Sequence, residues 1–179
     1  MPRRVWITAD THFGQPEALS LFGRPFADVQ AMDEAMLEGI NRLVHKRDRL
    51  LHLGDFCGPH PEGGGAQRAH ARAMRKRIRC RHVTLVRGNH DPSSARFEGL
   101  FEGVHELLSW REGAQRLRVN ACHWPLRLWR GQFKGAVLLH GHAHGGLPQE
   151  GRAVDVGVDT WRLQRDRNAN LLPNLPLPG

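Results

Sequence analysis

The stretch His82-Val-Thr-Leu-Val-Arg-Gly-Asn-His-Asp91 decides how this chain is read. Its first five residues are apolar-rich and β-prone, with the length of a buried strand. A glycine follows, permitting close backbone approach, and then three consecutive polar groups: Asn89, His90 and Asp91. The same pattern, a hydrophobic strand ending abruptly in chemistry-bearing side chains, recurs along the chain. Residues 4 to 9 lead to Asp10-Thr-His12, and Arg49-Leu-Leu-His-Leu leads to Gly54-Asp55. Arg116 to Ala121 leads to Cys122-His123, and Ala136-Val-Leu-Leu-His to Gly141-His142-Ala-His144. Five such strands predict an α/β fold with its site at the strand ends, where sites in open α/β sheets assemble.

Between these strands, Asp28 is a plausible N-cap for a helix whose Val29, Met32, Met36, Ile40 and Leu43 share one face. Ala66 to Arg79 reads as a basic helix, and the segment from Ser94 to Val104 as a short helix. Leu107 to Trp110 and Arg116 to Ala121 read as strands joined by a turn near Glu112-Gly-Ala114, with a last strand at Ala153 to Val158. Residues 14 to 27, with Gly14, Pro16, Gly23 and Pro25, read mostly as loop. One domain over residues 1–168 is expected, followed by an extended or disordered Pro-rich tail at 169–179.

At 179 residues the chain is the size of one domain, and no apolar run approaches the ~20 residues of a membrane span. The two arginines at the N-terminus precede no signal-length hydrophobic stretch, so Met1 is expected to be the mature start. Cys57, Cys80 and Cys122 are odd in number and lack a Cys-x-x-Cys pair. That argues against a disulfide framework or thiolate zinc site and fits a reducing cytoplasm. The formal charge is +8, with Arg supplying 23 of the 26 basic residues. Residues 68–87 contain Arg68, Arg72, Arg75, Lys76, Arg77, Arg79, Arg81 and Arg87 and no acid. This block reads either as an attractor of nucleic acid through counterion release or as a solvated helix face.

The strand-end clusters offer carboxylate, imidazole and amide oxygen donors. That mixture suits Mn, Fe, Zn, Ni or Co and is too nitrogen-rich for a dedicated Mg or Ca cage. The candidate ligands are Asp10, His12, Asp55, Asn89, His123, His142 and His144. Seven donors, one of them a carboxylate able to bridge, complement two cations with positions left open for water and substrate. Each cluster alone reads as easily as a turn or an exposed loop; their joint occurrence in this order is what carries the reading. His45, His60, His70, His82 and His105 read as surface or partly buried, and His52 and His140 as strand packing. Trp124 and Trp129 read as core or rim, with a nucleobase platform as the alternative.

The series Asp10-x-His12, Gly54-Asp55, Gly88-Asn-His-Asp91, His123 and Gly141-His142-x-His144 resembles the signature of calcineurin-like metallophosphoesterases. Asp10-Thr-His-Phe-Gly14, Arg24-Pro-Phe26, His52-Leu-Gly-Asp-Phe56 and Val156-Gly-Val-Asp159 further resemble a small single-domain bacterial and phage branch of predicted phosphoesterases. The resemblance implies a four-layer α/β/β/α sandwich with mixed sheets. It implies one metal on Asp10, His12 and His144, another on Asn89, His123 and His142, and Asp55 bridging them. Two divalent cations are expected, Mn first, with Fe, Zn, Ni or Co as alternatives. In-line attack on phosphorus by a hydroxide held between them is implied, with His90 at the leaving-group oxygen and Asp91 positioning its ring. Gln15 stands where relatives of this branch often carry histidine, and Asp155 where they often carry asparagine. Gly54-Asp-Phe-Cys-Gly58 lacks the second acidic or amide residue of many members. The expected activity is hydrolysis of nucleotide or nucleic-acid phosphodiesters. The alternatives are a phosphomonoesterase or protein phosphatase, or a non-catalytic binding module, against which the retention of His90 argues.

Overall fold

The computed structural model describes residues 4–92 and 99–160. In chain order the elements are β1 (Val5–Thr8), α1 (Ala18–Leu21), α2 (Val29–Leu43), β2 (Arg49–His52), α3 (Gly64–Arg77) and β3 (His82–Val86). There follow β4 (Gly103–His105), β5 (Leu107–Glu112), β6 (Leu117–Cys122), a 3-10 turn at Gln132–Lys134, β7 (Val137–His140) and β8 (Ala153–Asp155). They form two four-stranded sheets, ordered β1-β2-β3-β4 and β5-β6-β7-β8. The first is wholly parallel; the second is mixed, with an antiparallel β5–β6 hairpin and parallel β6–β7 and β7–β8 pairs.

Side chains alternate along each strand, so each strand of the first sheet feeds two cores. Trp6, Leu50, Val83 and Leu85 pack with Met32, Met36 and Ile40 of α2 and Ala71 and Met74 of α3. Ile7, Leu51 and Val86 face the other way and meet Val119, Ala121, Val137 and Leu139 of the second sheet. Helices therefore cover one face of the first sheet, and the sheets pack face to face across the other. Among the described residues, the outer face of the second sheet is crossed by the segment 124–135, which contains the 3-10 turn. The result is an α/β two-sheet sandwich.

Helix α2 starts as its sequence predicts: the Asp28 carboxylate accepts from Ala31 N at 2.7 Å. The expected helix over 94–104 is corrected in its C-terminal part, residues 93–98 lying outside the described set. Gly103–His105 instead pairs in parallel with Thr84–Val86, completing an edge of the first sheet. Pairing the open edge of β3 satisfies more backbone groups than one further helical turn beside Gly103. The strand expected at 153–158 ends at Asp155, because the chain crosses between sheets there. Val156 N donates to His140 O at 2.7 Å, and Val158 N to Ala9 O at 3.1 Å. The tail at 169–179 and the proposed boundary at 168 lie outside the described residues. Among those described, no helix is long and apolar enough to cross a membrane.

Candidate metal centre

Asp10, Asp55 and Asn89 follow β1, β2 and β3, while His123 and His142 follow β6 and β7, so both sheets deliver donors to one edge. The loops that turn these side chains together are conformationally costly. Among the described residues, the non-glycines with positive φ are Asp10 (59°), His12 (50°), Asp55 (51°), His142 (68°), His144 (48°) and, in the distant β5–β6 hairpin, Arg116 (52°). Left-handed backbone at such residues costs roughly 1–3 kcal/mol each and persists only where the surroundings enforce it. Here they do: Asp10 N donates to Gly54 O, His12 N to Asp55 O and Gly141 N to His123 O, each at 3.0 Å. His142 N donates to both oxygens of Asp10, at 3.0 and 3.1 Å. The packing beside Asp10 leaves no room for a Cβ. One on Gly141 would lie 2.6 Å from the Ala9 Cβ, and one on Gly157 2.6 Å from Asp10 Oδ2.

All seven sequence-predicted ligands are gathered here. Asp10, His12 and His144 bring donor atoms within 4.8 Å of one another, and so do Asp55, His123 and His142. Asn89 Oδ1 lies 2.9 Å from His123 Nε2 and 3.0 Å from His142 Nδ1, and those two nitrogens are 3.2 Å apart. Asp55 Oδ2 stands between the groups, 3.6 Å from His12 Nε2 and 3.5 Å from His123 Nε2. His12 Nε2 is buried and has no hydrogen-bond partner. A buried imidazole nitrogen left unsatisfied is costly unless it is a ligand, so the residues fit two divalent cations.

Outer contacts fix which nitrogen each ring presents. His12 Nδ1 meets Gln15 Oε1 at 2.7 Å, and His123 Nδ1 meets Leu53 O at 2.9 Å. Both acceptors require the proton on Nδ1, leaving Nε2 as a lone pair. His144 Nδ1 meets Asp159 Oδ2 at 2.7 Å, and Phe22 stacks on the same ring at 3.5 Å and 9°. Asp159 is held in turn by Arg24, from Nε and Nη2 at 2.8 Å each. The same guanidinium donates to Thr11 O at 2.9 Å and Asp10 O at 2.6 Å. Arg24 and Asp159 thus tie His144 to the Asp10 loop. Neither carried a role in the sequence, although both fall in branch-specific phrases; a pair 135 residues apart leaves no local pattern.

Burial, then the Arg24 guanidinium and His144, pull the His12 imidazole down to about 2. Burial likewise lowers His123 and His142, against the opposing pull of Asp55. These rings are neutral at pH 7, the form that binds metal. Burial pushes Asp10 well above the carboxylate range; the His142 amide opposes it, and Asp55, Asp155 and Asp159 add to it. Asp159 is held low: burial would raise it, but the hydrogen bonds from His144 and Arg24 outweigh that.

The Asp91 carboxylate accepts from Asp55 N at 2.8 Å, Gly88 N at 2.9 Å and Phe56 N at 3.0 Å. Asp91 thus braces the Asp55 loop against the Asn89 loop. Burial raises it to about 7, against the Gly88 amide. His90 sits with its ring centroid 5.4 Å from that of His12. Its backbone is pinned by Asp55 Oδ1, which accepts from His90 N at 2.9 Å, and by Gln67 Nε2, which donates to His90 O at 2.8 Å.

The basic block at 68–87 is spread away from this centre. Gln67, in the first turn of α3, touches His90, and from there the helix runs about 15 Å towards the opposite end of the sheet. Arg75 is spent on the carbonyls of Ile78 and Arg81, Arg77 on Glu34 and Arg87 on Glu106. A helix following a parallel strand must run back along it, so only the cations near the start of α3 can approach the strand-end site.

The family model for calcineurin-like phosphoesterases matches residues 3–172. Curated relatives include the uncharacterized protein MJ1445 of Methanocaldococcus jannaschii, 21% identical over 144 residues, covering 79% of this chain and 70% of the relative. Another is the Gene 66 protein of Mycobacterium phage D29, 26% identical over 185 residues and covering 88% of each chain. Among solved structures, the Aquifex aeolicus protein AQ665, of unknown function, is similar in fold. It is 18% identical, with a TM-score of 0.64 over 89% of this chain and 92% of that one. The Pseudomonas putida nuclease MPE is 26% identical, with a TM-score of 0.50 over 79% of this chain and 62% of its own. Fold, strand-end donor series and family model agree: this chain belongs to the calcineurin-like phosphoesterases and is a metal-dependent phosphoric ester hydrolase.

Proposed function

We propose that this protein is a phosphodiesterase acting on nucleotide or nucleic-acid diesters with two divalent cations, Mn foremost. In this reading Asp10, His12 and His144 hold one cation, Asn89, His123 and His142 hold the other, and Asp55 serves both. The observation that carries it is the near-equal distance of Asp55 Oδ2 from His12 and His123, 3.6 and 3.5 Å, between two converging donor groups. Bound there, the cations neutralise charge on the phosphoryl group and bring the pKa of water towards neutrality. His90 donates a proton to the departing oxygen, its backbone fixed by Asp55 and Gln67. Asp91 keeps the Asp55 and Asn89 loops in register, and Arg24 with Asp159 orients His144. Exposure of Asn89 at the rim supports an open groove suited to a chain-like diester over a closed monoester pocket. The likeness to a nuclease points the same way.

The deciding experiment is a screen with Mn, Ni, Co, Zn and Mg against chromogenic diesters and monoesters, with elemental analysis of each active form. Turnover of the diester by a form holding two metal ions per chain is expected. Asp55→Asn should lower both occupancies together, whereas His12→Ala should deplete one. A fully active form holding a single ion would sink the dinuclear reading, and preference for monoesters would sink the diester reading.

A further inference from the structure

The outer face of the second sheet carries arginines that the metal centre does not use. Arg111 on β5 and Arg118 on β6 are directly opposed in the antiparallel ladder, so their Cβ atoms are roughly 5 Å apart on one face. That face is the outer one, since the alternating Leu108, Trp110 and Val119 pack inwards. Arg130 joins them from the segment that returns across this face after His123, which Asn120 Nδ2 fastens by donating to Arg130 O at 3.1 Å. After burial, the charges of Arg130 and Arg111 are what lower the Arg118 guanidinium.

Among the described residues, no ion pair joins Arg111, Arg118 or Arg130 to a carboxylate. Arg111 donates to Arg116 O and Arg118 to Ser109 Oγ, both neutral acceptors at 3.0 Å. Arg24, Arg77 and Arg87, by contrast, are in ion pairs with carboxylates. Like charges opposed across strands are unfavourable, and a polyanion would relieve them. The same returning segment exposes Trp124, Leu128 and Phe133, at 44, 66 and 91%. Trp124 is also a neighbour of the metal centre, its ring 4.5 Å from that of His142. An anionic lipid surface would also suit cations beside apolar side chains. Continuity with a phosphoester-cleaving centre through Trp124 favours a nucleic-acid strand.

We propose that the β5–β6 hairpin and segment 124–134 form a binding face for single-stranded nucleic acid, with phosphates on Arg111, Arg118 and Arg130 and a base stacked on Trp124. The proposal rests on the phosphodiesterase reading above and deepens it. Arg118 precedes His123 by five residues, ~16 Å along β6. Stacking on an aromatic and charge contacts to the backbone are the two components of sequence-tolerant strand binding.

The test is fluorescence anisotropy of the metal-loaded protein with a labelled single-stranded phosphorothioate oligonucleotide across a salt titration. Each lost single-strand phosphate contact removes ~0.7 from the log–log salt slope. The triple variant Arg111→Gln, Arg118→Gln, Arg130→Gln should therefore flatten the slope by about 2 and raise Kd. The matching Lys triple should keep the slope, and Arg72→Gln with Lys76→Gln on α3 should bind as wild type does. Unaltered slope and affinity in the Gln triple would overturn the proposal. So would wild-type binding to phosphatidylserine vesicles but not to the oligonucleotide. Turnover of a small chromogenic diester, measured in parallel, should be equal in wild type and the Gln triple. Diester turnover without oligonucleotide binding removes the surface and leaves the phosphodiesterase reading. Arginine-dependent binding with no turnover by any cation removes that reading and leaves the surface.

Discussion

Asp10, His12, Asp55, His142 and His144 adopt left-handed backbone because the donor geometry demands it, and the hydrogen bonds around them enforce it. His90 is different: it belongs to neither donor group, and its ring centroid lies 5.4 Å from that of His12. His90→Ala is therefore expected to keep its metal content while turnover of diesters with poor leaving groups falls ~10²–10⁴-fold. A nitrophenyl diester, whose leaving group needs little protonation, should be hurt less; loss of metal instead would mean that His90 is a ligand. Asp159→Asn probes the orientation of His144. Asparagine can still accept from Arg24, so the fold should stand, but the imidazole loses its charged partner. Affinity at the Asp10–His12–His144 position should fall ~10–100-fold in a chelator-competition titration, with the other position unchanged. Equal losses at both positions would show a general disturbance rather than orientation of one ligand.

The strands that deliver these residues are themselves anchored at their opposite end. Asp48 precedes β2 and accepts from Arg4 N at 3.1 Å, Trp6 Nε1 at 3.0 Å and His45 N at 3.0 Å, pinning the start of β1 to that of β2. Burial would raise this carboxyl, but the three donors together hold it below its usual range. Asp48→Ala leaves those donors without their acceptor and should cost ~1–3 kcal/mol in urea unfolding at pH 7. A depressed folded-state pKa contributes stability that is complete above the unfolded value near 3.9 and is lost as pH falls through the folded one. The gap between wild type and variant should thus be constant from pH 5 to 8 and narrow below ~4. A gap that widened on acidification would refute this role. Element identity was largely legible: the Asp28 cap, the α2 face and the β3 bounds follow from local spacing. The segment 94–104 misled because its helical pattern is short, while the pairing of Gly103–His105 depends on an open edge far along the chain.

For the molecule as a whole, the clustered carboxylates of the candidate metal centre are a source of strain that bound cations would relieve. Asp10 lies near Asp55, Asp155 and Asp159 beneath the bridge from Ala9 to Gly157 that joins the two sheets. A cation bound to the folded state alone, present at about 100 times its Kd, adds ~2.7 kcal/mol. For a chain of this size that is a Tm rise of roughly 5–10 °C. Mn at saturation should produce it, a chelator should reverse it, and Asp55→Asn should show little of it; a Tm indifferent to Mn would contradict the centre. The sequence by itself determined the donors, their order and the strands that end in them, because strand periodicity and ligand chemistry are written locally. Tertiary structure alone decided three other matters. It set Asp91 between two loops, joined Arg24 to Asp159, and put Arg111 opposite Arg118 on the β5–β6 face while α3 carried its own cations away. Each depends on which distant segments come to share one edge or face, and that is fixed by sheet order and packing, which no local spacing encodes.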